Sequence, residues 1–258
     1  MLRGLYTSWT GMVNEQKRLD VVSNNLANSA TFGYKQESVS SQAFDQLLTI
    51  KIRDGSQAYH NEAIGRMSLG VKVGEVYTDY SQGSVRETGG NFDLAISGNG
   101  FFTINYTNSS GETSTRYTRD GSFQVTKDGI LVDSEGNHVQ GEGGDISIPT
   151  DATSIAIDKD GTITADGAVI DRVKLTDFTD YDYILKVGDN MYTVVDGATE
   201  REATGTILQG YTEQSNVNVV SEMVDMITIT RAYEANQKMI RSMDSMLDKA
   251  VNQVGRLG

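Results

Sequence analysis

Two apolar repeats at the far ends of the chain constrain it more than anything between them. From Leu2 a 3-4 spacing runs through Leu5, Trp9, Met12, Gln16, Leu19, Ser23 and Leu26. That spacing is a heptad seam, narrower than the stripe of an ordinary core-facing helix. The other end repeats it through Met226, Ile229, Tyr233, Asn236, Ile240, Met243, Leu247, Ala250 and Val254, with only Asn236 polar. Asn218 is placed to cap this second helix, Glu222 to sit in its first turn, Glu234 to pair with Lys238 and Gly255 to end it. At about 1.5 Å per residue the helices would measure roughly 40 and 55 Å. The simplest arrangement pairs them with each other, and Tyr6, Val13, Val22, Val220, Val224 and Ile227 then lie off the seam and call for further copies.

The stretch between them reads as β. Asp-Gly recurs at Asp54, Asp120, Asp128, Asp160, Asp166 and Asp196, between runs such as FFTINY, GILVD and GTITAD. Tight turns joining short strands of an antiparallel domain account for this. The expected fold is therefore α+β: long N- and C-terminal helices pairing as a coiled coil, with a central, mainly antiparallel β domain. The expected division is 1–35 with 217–258 as the helical part, 36–84 as an extended linking segment, and 85–216 as the β domain.

Charge follows the same division. The chain carries −13 overall; residues 1–35 sum to +2 and 218–258 to zero, which leaves −15 on residues 36–217. An acidic middle argues against nucleic acid and anionic membranes as its partners. No uncharged stretch is apolar enough to span a bilayer, and the first residues lack the apolar run of a cleavable signal peptide.

Chemistry is sparse. There is no cysteine, and the two histidines, His60 and His138, stand in no metal or triad spacing and read as surface or turn residues. Asp158-Lys-Asp160-Gly161 opens like a calcium loop but lacks the later ligands, and Gly98-Asn-Gly100 leads into a strand rather than a dinucleotide-binding helix. No spacing isolates a carboxylate pair for glycoside hydrolysis. The expectation is no catalytic residue, no cofactor and no metal.

What remains unexplained is NNLANSATFGYK, where the first helix runs into three asparagines. Its residues Asn24, Asn25, Leu26, Ala27, Asn28, Thr31, Gly33, Tyr34 and Lys35 resemble the N-terminal motif of the flagellar rod and hook family of axial proteins. DLAISGNGFFTI with YTRDGSF resembles that family's central strands, GYTEQSNVNVVSEMVDMI its entry to the C-terminal helix, and Arg231, Ala232, Tyr233 and Glu234 its Arg-Ala-Tyr-Glu motif. Length and the GVKV stretch resemble its distal-rod members more than its proximal-rod or hook members, and a proximal-rod or hook-type subunit is the alternative within the family.

The resemblance implies a structural subunit without enzymatic activity that polymerises into a hollow shaft, the drive shaft carrying torque from motor to hook. It also implies other rod and hook subunits as partners, the flagellar type III apparatus as export route, and no nucleic acid or membrane insertion. Leu5, Trp9, Met12, Leu19, Leu26, Met226, Ile229, Arg231, Tyr233, Glu234, Ile240, Met243 and Leu247 would then be assembly positions. Asn24, Asn25 and Asn28 would bond the helix end and the chain leaving it. Gly33 would supply a turn, and Tyr34 and Lys35 would dock that exit on the C-terminal helix or a neighbouring subunit. From the residues alone, a trimeric coiled-coil adhesin and a polysaccharide-active enzyme stay open; neither accounts for the asparagine motif.

Overall fold

The computed structural model describes residues 2–51, 62–108, 111–152 and 154–254. Asp54, His60 and Gly255, singled out above, lie outside them. The architecture is α+β: an N-terminal helix, a central antiparallel β region and a C-terminal helix. The chain falls into two compact units, one of residues 1–26, 37–79 and 218–258 and one of residues 27–36 and 80–217.

The first unit is helical with a β ribbon. Helix α1 (Leu2–Ala27) stops where Thr31 N–H turns back on the Asn28 carbonyl at 3.2 Å. Helix α2 (Val219–Lys249) starts from Asn218, whose side chain accepts from Val220 and Ser221 N–H, and it runs into a π-helical turn over Ala250–Val254. Within the segment 36–84, expected to link the two parts, the described residues form two antiparallel strand pairs. Glu37–Ala43 runs antiparallel to Val71–Thr78, with an irregularity between Val39 and Ser41, and Leu47–Lys51 pairs with Glu62–Met67. Glu37–Ala43 presents only Val39 and Ala43 as apolar side chains, and its Ser41 donates to Asn14 of α1.

The two helices run antiparallel. A Cβ placed on Gly4 would lie 2.5 Å from Met243 Cε, and one on Gly11 would lie 3.1 Å from Asn236 Nδ2. Further along, Asn25 Nδ2 reaches Glu222 Oε2 at 3.3 Å. In all three pairs the residue numbers sum to 247, one register held over the length of α1.

The second unit is built on a ten-stranded antiparallel sheet whose central strand, Phe101–Thr107, lies between Thr113–Thr118 and His138–Gly141. Successive side chains of a strand point to opposite faces, and here each face has its own core. Phe102 and Ile104 join Leu94, Ile96, Leu131, Val139, Ile163 and Ile207; Phe101 joins Tyr117, Phe178, Ile184 and Tyr192. Among the Asp-Gly pairs, Asp166-Gly167 has positive φ at both residues, 49° and 84°, as a type I′ hairpin turn requires. Asp120-Gly121 departs from the expected hairpin. Glycine is needed there because the Leu94 carbonyl occupies the space of a Cβ. His138 lies in a strand, with Nδ1 2.7 Å from Asp145.

Candidate functional site

α1 buries a small, largely polar stripe and leaves Tyr6, Trp9 and Val13 exposed. Among the described side chains of α1, Thr10, Asn14, Val21 and Asn25 are buried. Each polar one is matched: Thr10 abuts Gly70, Asn14 Oδ1 accepts from Ser41 Oγ at 3.0 Å, and Asn25 exchanges two hydrogen bonds with the backbone of Glu37, at 2.8 and 3.0 Å. Gly4, Gly11 and Asn25 form the adjoining stripe toward α2. Trp9, expected on the helix-pairing seam, is 48% exposed, while Leu5, Met12, Leu19 and Leu26 are only half-buried. The closest approaches to α2 fall on small and polar positions, Gly4, Gly11 and Asn25, beside the half-buried leucines of the expected seam.

α2 turns its own repeat inward. Ile229 is buried, and Met226, Tyr233, Ile240, Met243 and Leu247 are half-buried at the same 3-4 spacing. Arg231 and Glu234 are exposed. On its opposite side Val220, Met223, Val224 and Ile227 stand 48 to 71% exposed.

The segment after α1 belongs to the β unit and is fixed there by charge. Gly33 adopts φ +67°, and its N–H donates to the Glu213 carbonyl at 2.9 Å. A Cβ at this position would run into the backbone of Arg119 and Asp120, so glycine is required twice over. Tyr34 is fully buried beneath Lys186, whose Nζ lies 3.7 Å from the ring centroid and donates to the Lys35 carbonyl at 3.2 Å. Lys35, 1% exposed, donates from Nζ to Glu213 Oε1 at 2.6 Å and to the Ser81 carbonyl at 2.7 Å. The other Glu213 oxygen accepts from Arg119 at 3.2 Å, and Arg119 also holds the Gly98 carbonyl. Gly83 N–H adds a further donor to Glu213.

Tyr34 and Lys35 are thus buried among residues of the β unit. Three buried charges, two positive and one negative, meet there. Buried charges are tolerated when paired and fully hydrogen-bonded, and losing one partner strands the rest. Asn28, nearby in the same segment, accepts from Thr31 Oγ1 and reaches Asp189 at 3.5 Å. Asn24 is exposed.

Glu213 and Arg119 were given no role from the sequence. The available signal was isolation: no charge occurs from residue 21 to 34 before Lys35, and Glu213 is the lone charge between Glu202 and Glu222. A lone cation and a lone anion in uncharged, glycine- and aromatic-containing stretches are candidates for one buried pair.

Three family models match in turn. "Flagella basal body rod protein" covers residues 5–35, "Flagellar hook protein FlgE/F/G D1 domain" residues 95–165, and "Flagellar basal body rod FlgEFG protein C-terminal" residues 208–254. The first holds Lys35, the second Arg119 and the third Glu213, so the buried cluster takes one member from each. The flagellar basal-body rod protein FlgG of Bacillus subtilis (strain 168) is 35% identical over 271 residues, covering 98% of this chain and 99% of its own length. FlgG of Caulobacter vibrioides is 36% identical over 95% and 97%. The basal-body rod protein FlgF of the same organism is 33% identical over the whole of both chains.

Proposed function

This chain belongs to the flagellar basal-body rod protein family, in its distal-rod branch, and from that premise we propose how its helical unit builds the rod. It is a structural subunit of the flagellar rod, in a family that assembles with other rod and hook components. Copies polymerise through α1 and α2 into a hollow drive shaft, and the two helices of each copy pair as an antiparallel coiled coil along the 247 register. The observation that carries this is the apolar patch of α1, where Trp9 and its neighbours remain exposed although the buried stripe is already satisfied. Exposed apolar surface on a helix at heptad spacing is surface that a partner covers.

Once covered, each Leu-sized side chain contributes about 1.5–3 kcal/mol, and repetition along a shaft makes it stiff enough to carry torque without any catalytic group. The acidic β units then repel neighbouring shafts. Export unfolded through the flagellar type III apparatus suits a chain with no cysteine to cross-link and a single proline to isomerise.

Cells lacking the gene should build basal bodies that end in a short rod without a hook, seen by electron microscopy. The wild-type gene should restore hooks. Trp9→Glu should not, although the subunit itself folds, because the replaced side chain is exposed within one copy. Intact hooks in the deleted strain would refute the assignment.

A further inference from the structure

Two exposed apolar patches among the described residues of the helical unit match each other in spacing but lie at different levels. Tyr6, Trp9 and Val13, separated by three and four residues, stand 43, 48 and 40% exposed on α1. Ile227, Val224 and Val220, separated by three and four residues in the reverse direction, stand 56, 57 and 71% exposed on α2. Antiparallel helices pair residues whose numbers have a constant sum. Here the pairs Tyr6 with Ile227, Trp9 with Val224, and Val13 with Val220 all sum to 233. Within one copy the helices are held at 247. The patches of a single copy are therefore about 14 residues apart along the pair, two heptads or roughly 20 Å, and cannot touch.

We propose that the Tyr6–Trp9–Val13 patch of one copy docks on the Val220–Val224–Ile227 patch of a second copy displaced by about 20 Å along the helix pair. This rests on the reading of the chain as a polymerising rod subunit and names the contact that propagates it. The occupant is a second copy because an offset of whole heptads leaves the seams of both copies in phase, so the same displacement can repeat without end. Two different patches joined head to tail make an open array, whereas a single self-complementary patch would close a dimer. The inner faces cannot serve instead, since α1 has closed its own on Gly70, Ser41 and Glu37. Met223, 48% exposed beside Val224, offers a thioether to the indole of Trp9.

The absence of cysteine makes a clean test. Val13→Cys and Val220→Cys, both at exposed positions, are produced together as separate full-length copies in cells lacking the wild-type gene, with motility as the control for assembly. Oxidised basal bodies from motile cells should yield a disulfide-linked pair at twice the subunit mass, and either variant alone should yield none. Replacing Val220→Cys by Ile227→Cys moves the thiol by about two turns and should abolish the product with Val13→Cys. Motile cells without the mixed disulfide, linkage in a single-variant sample, or efficient linkage to Ile227→Cys would each overturn the pairing while leaving the rod assignment in place. Wild-type cells with no rod containing this chain would remove the rod assignment and the pairing together.

Discussion

At the scale of single residues, Glu213 neutralises two cations with one carboxylate, so its neighbours differ in what their loss leaves behind. Glu213→Gln strands Lys35 and Arg119, two buried positive charges, and should cost on the order of 3–5 kcal/mol. Lys35→Met keeps the apolar stem and leaves Arg119 with Glu213 as a neutral pair. Its cost should be nearer 1–3 kcal/mol, chiefly the lost buried hydrogen bond to the Ser81 carbonyl, which keeps Asn216 as a donor. Urea denaturation of the β unit should rank them in that order, and the reverse ranking would mean that the cluster is not organised around Glu213. A second residue-scale effect appears at alkaline pH. Burial, then the hydrogen bond to Asp177, pushes the Tyr181 hydroxyl up to about 12, and burial with Glu200 drives Tyr117 upward as well. A pKa raised in the folded state gives stability that is complete below the unfolded value near 10 and is lost as pH climbs toward 12. Urea midpoints should fall between about pH 9 and about pH 11, and less steeply in Tyr181→Phe; parallel declines would assign the loss to other groups.

At the scale of elements, glycines rather than leucines set the distance between α1 and α2. Gly4→Ala meets only the methyl end of Met243, which can swing aside, so the gain in helix propensity of about 0.5–1 kcal/mol should prevail. Gly11→Leu must displace Asn236 with a whole side chain and should cost about 1–3 kcal/mol. Thermal melting followed by helical circular dichroism should move in opposite directions for the two, and destabilisation by both would show the approach to be tighter than these contacts imply. The same elements explain what a sequence reveals. The α2 repeat was legible because its apolar positions are its packed positions. The α1 repeat was legible as a helix, whereas the close contacts at Gly4, Thr10, Gly11 and Asn14 leave no trace in an apolar pattern. The ribbon is not legible for a related reason: ESVSSQA has no alternation, and its pairing with Val71–Thr78 is a long-range ladder held by backbone bonds. In the asparagine motif, the turn at Gly33 could be read locally, whereas the partner of Lys35 lies 178 residues away.

At the scale of the whole molecule, charge and apolar surface are segregated. The β unit, residues 27–36 and 80–217, holds ten basic and 22 acidic side chains, a net −12 of the chain's −13. The helical unit is left at −1 and carries the exposed apolar patches of α1 and α2. Assembly through the helices must therefore bring like-charged β units closer together, and the two effects answer differently to salt. Apolar contacts are nearly indifferent to modest ionic strength, whereas repulsion weakens as the Debye length contracts from about 30 Å at 0.01 M to about 10 Å at 0.1 M. Sodium chloride over that range should accordingly promote polymerisation of the purified chain, lowering the concentration at which sedimentable filament appears. Trp9, the single tryptophan, reports the same event through a blue shift of its emission as its exposed ring is covered. Filament that dissolves as salt rises would show instead that charge pairs between copies hold the shaft, and the apolar patches would then lose their place as its main cohesive surface.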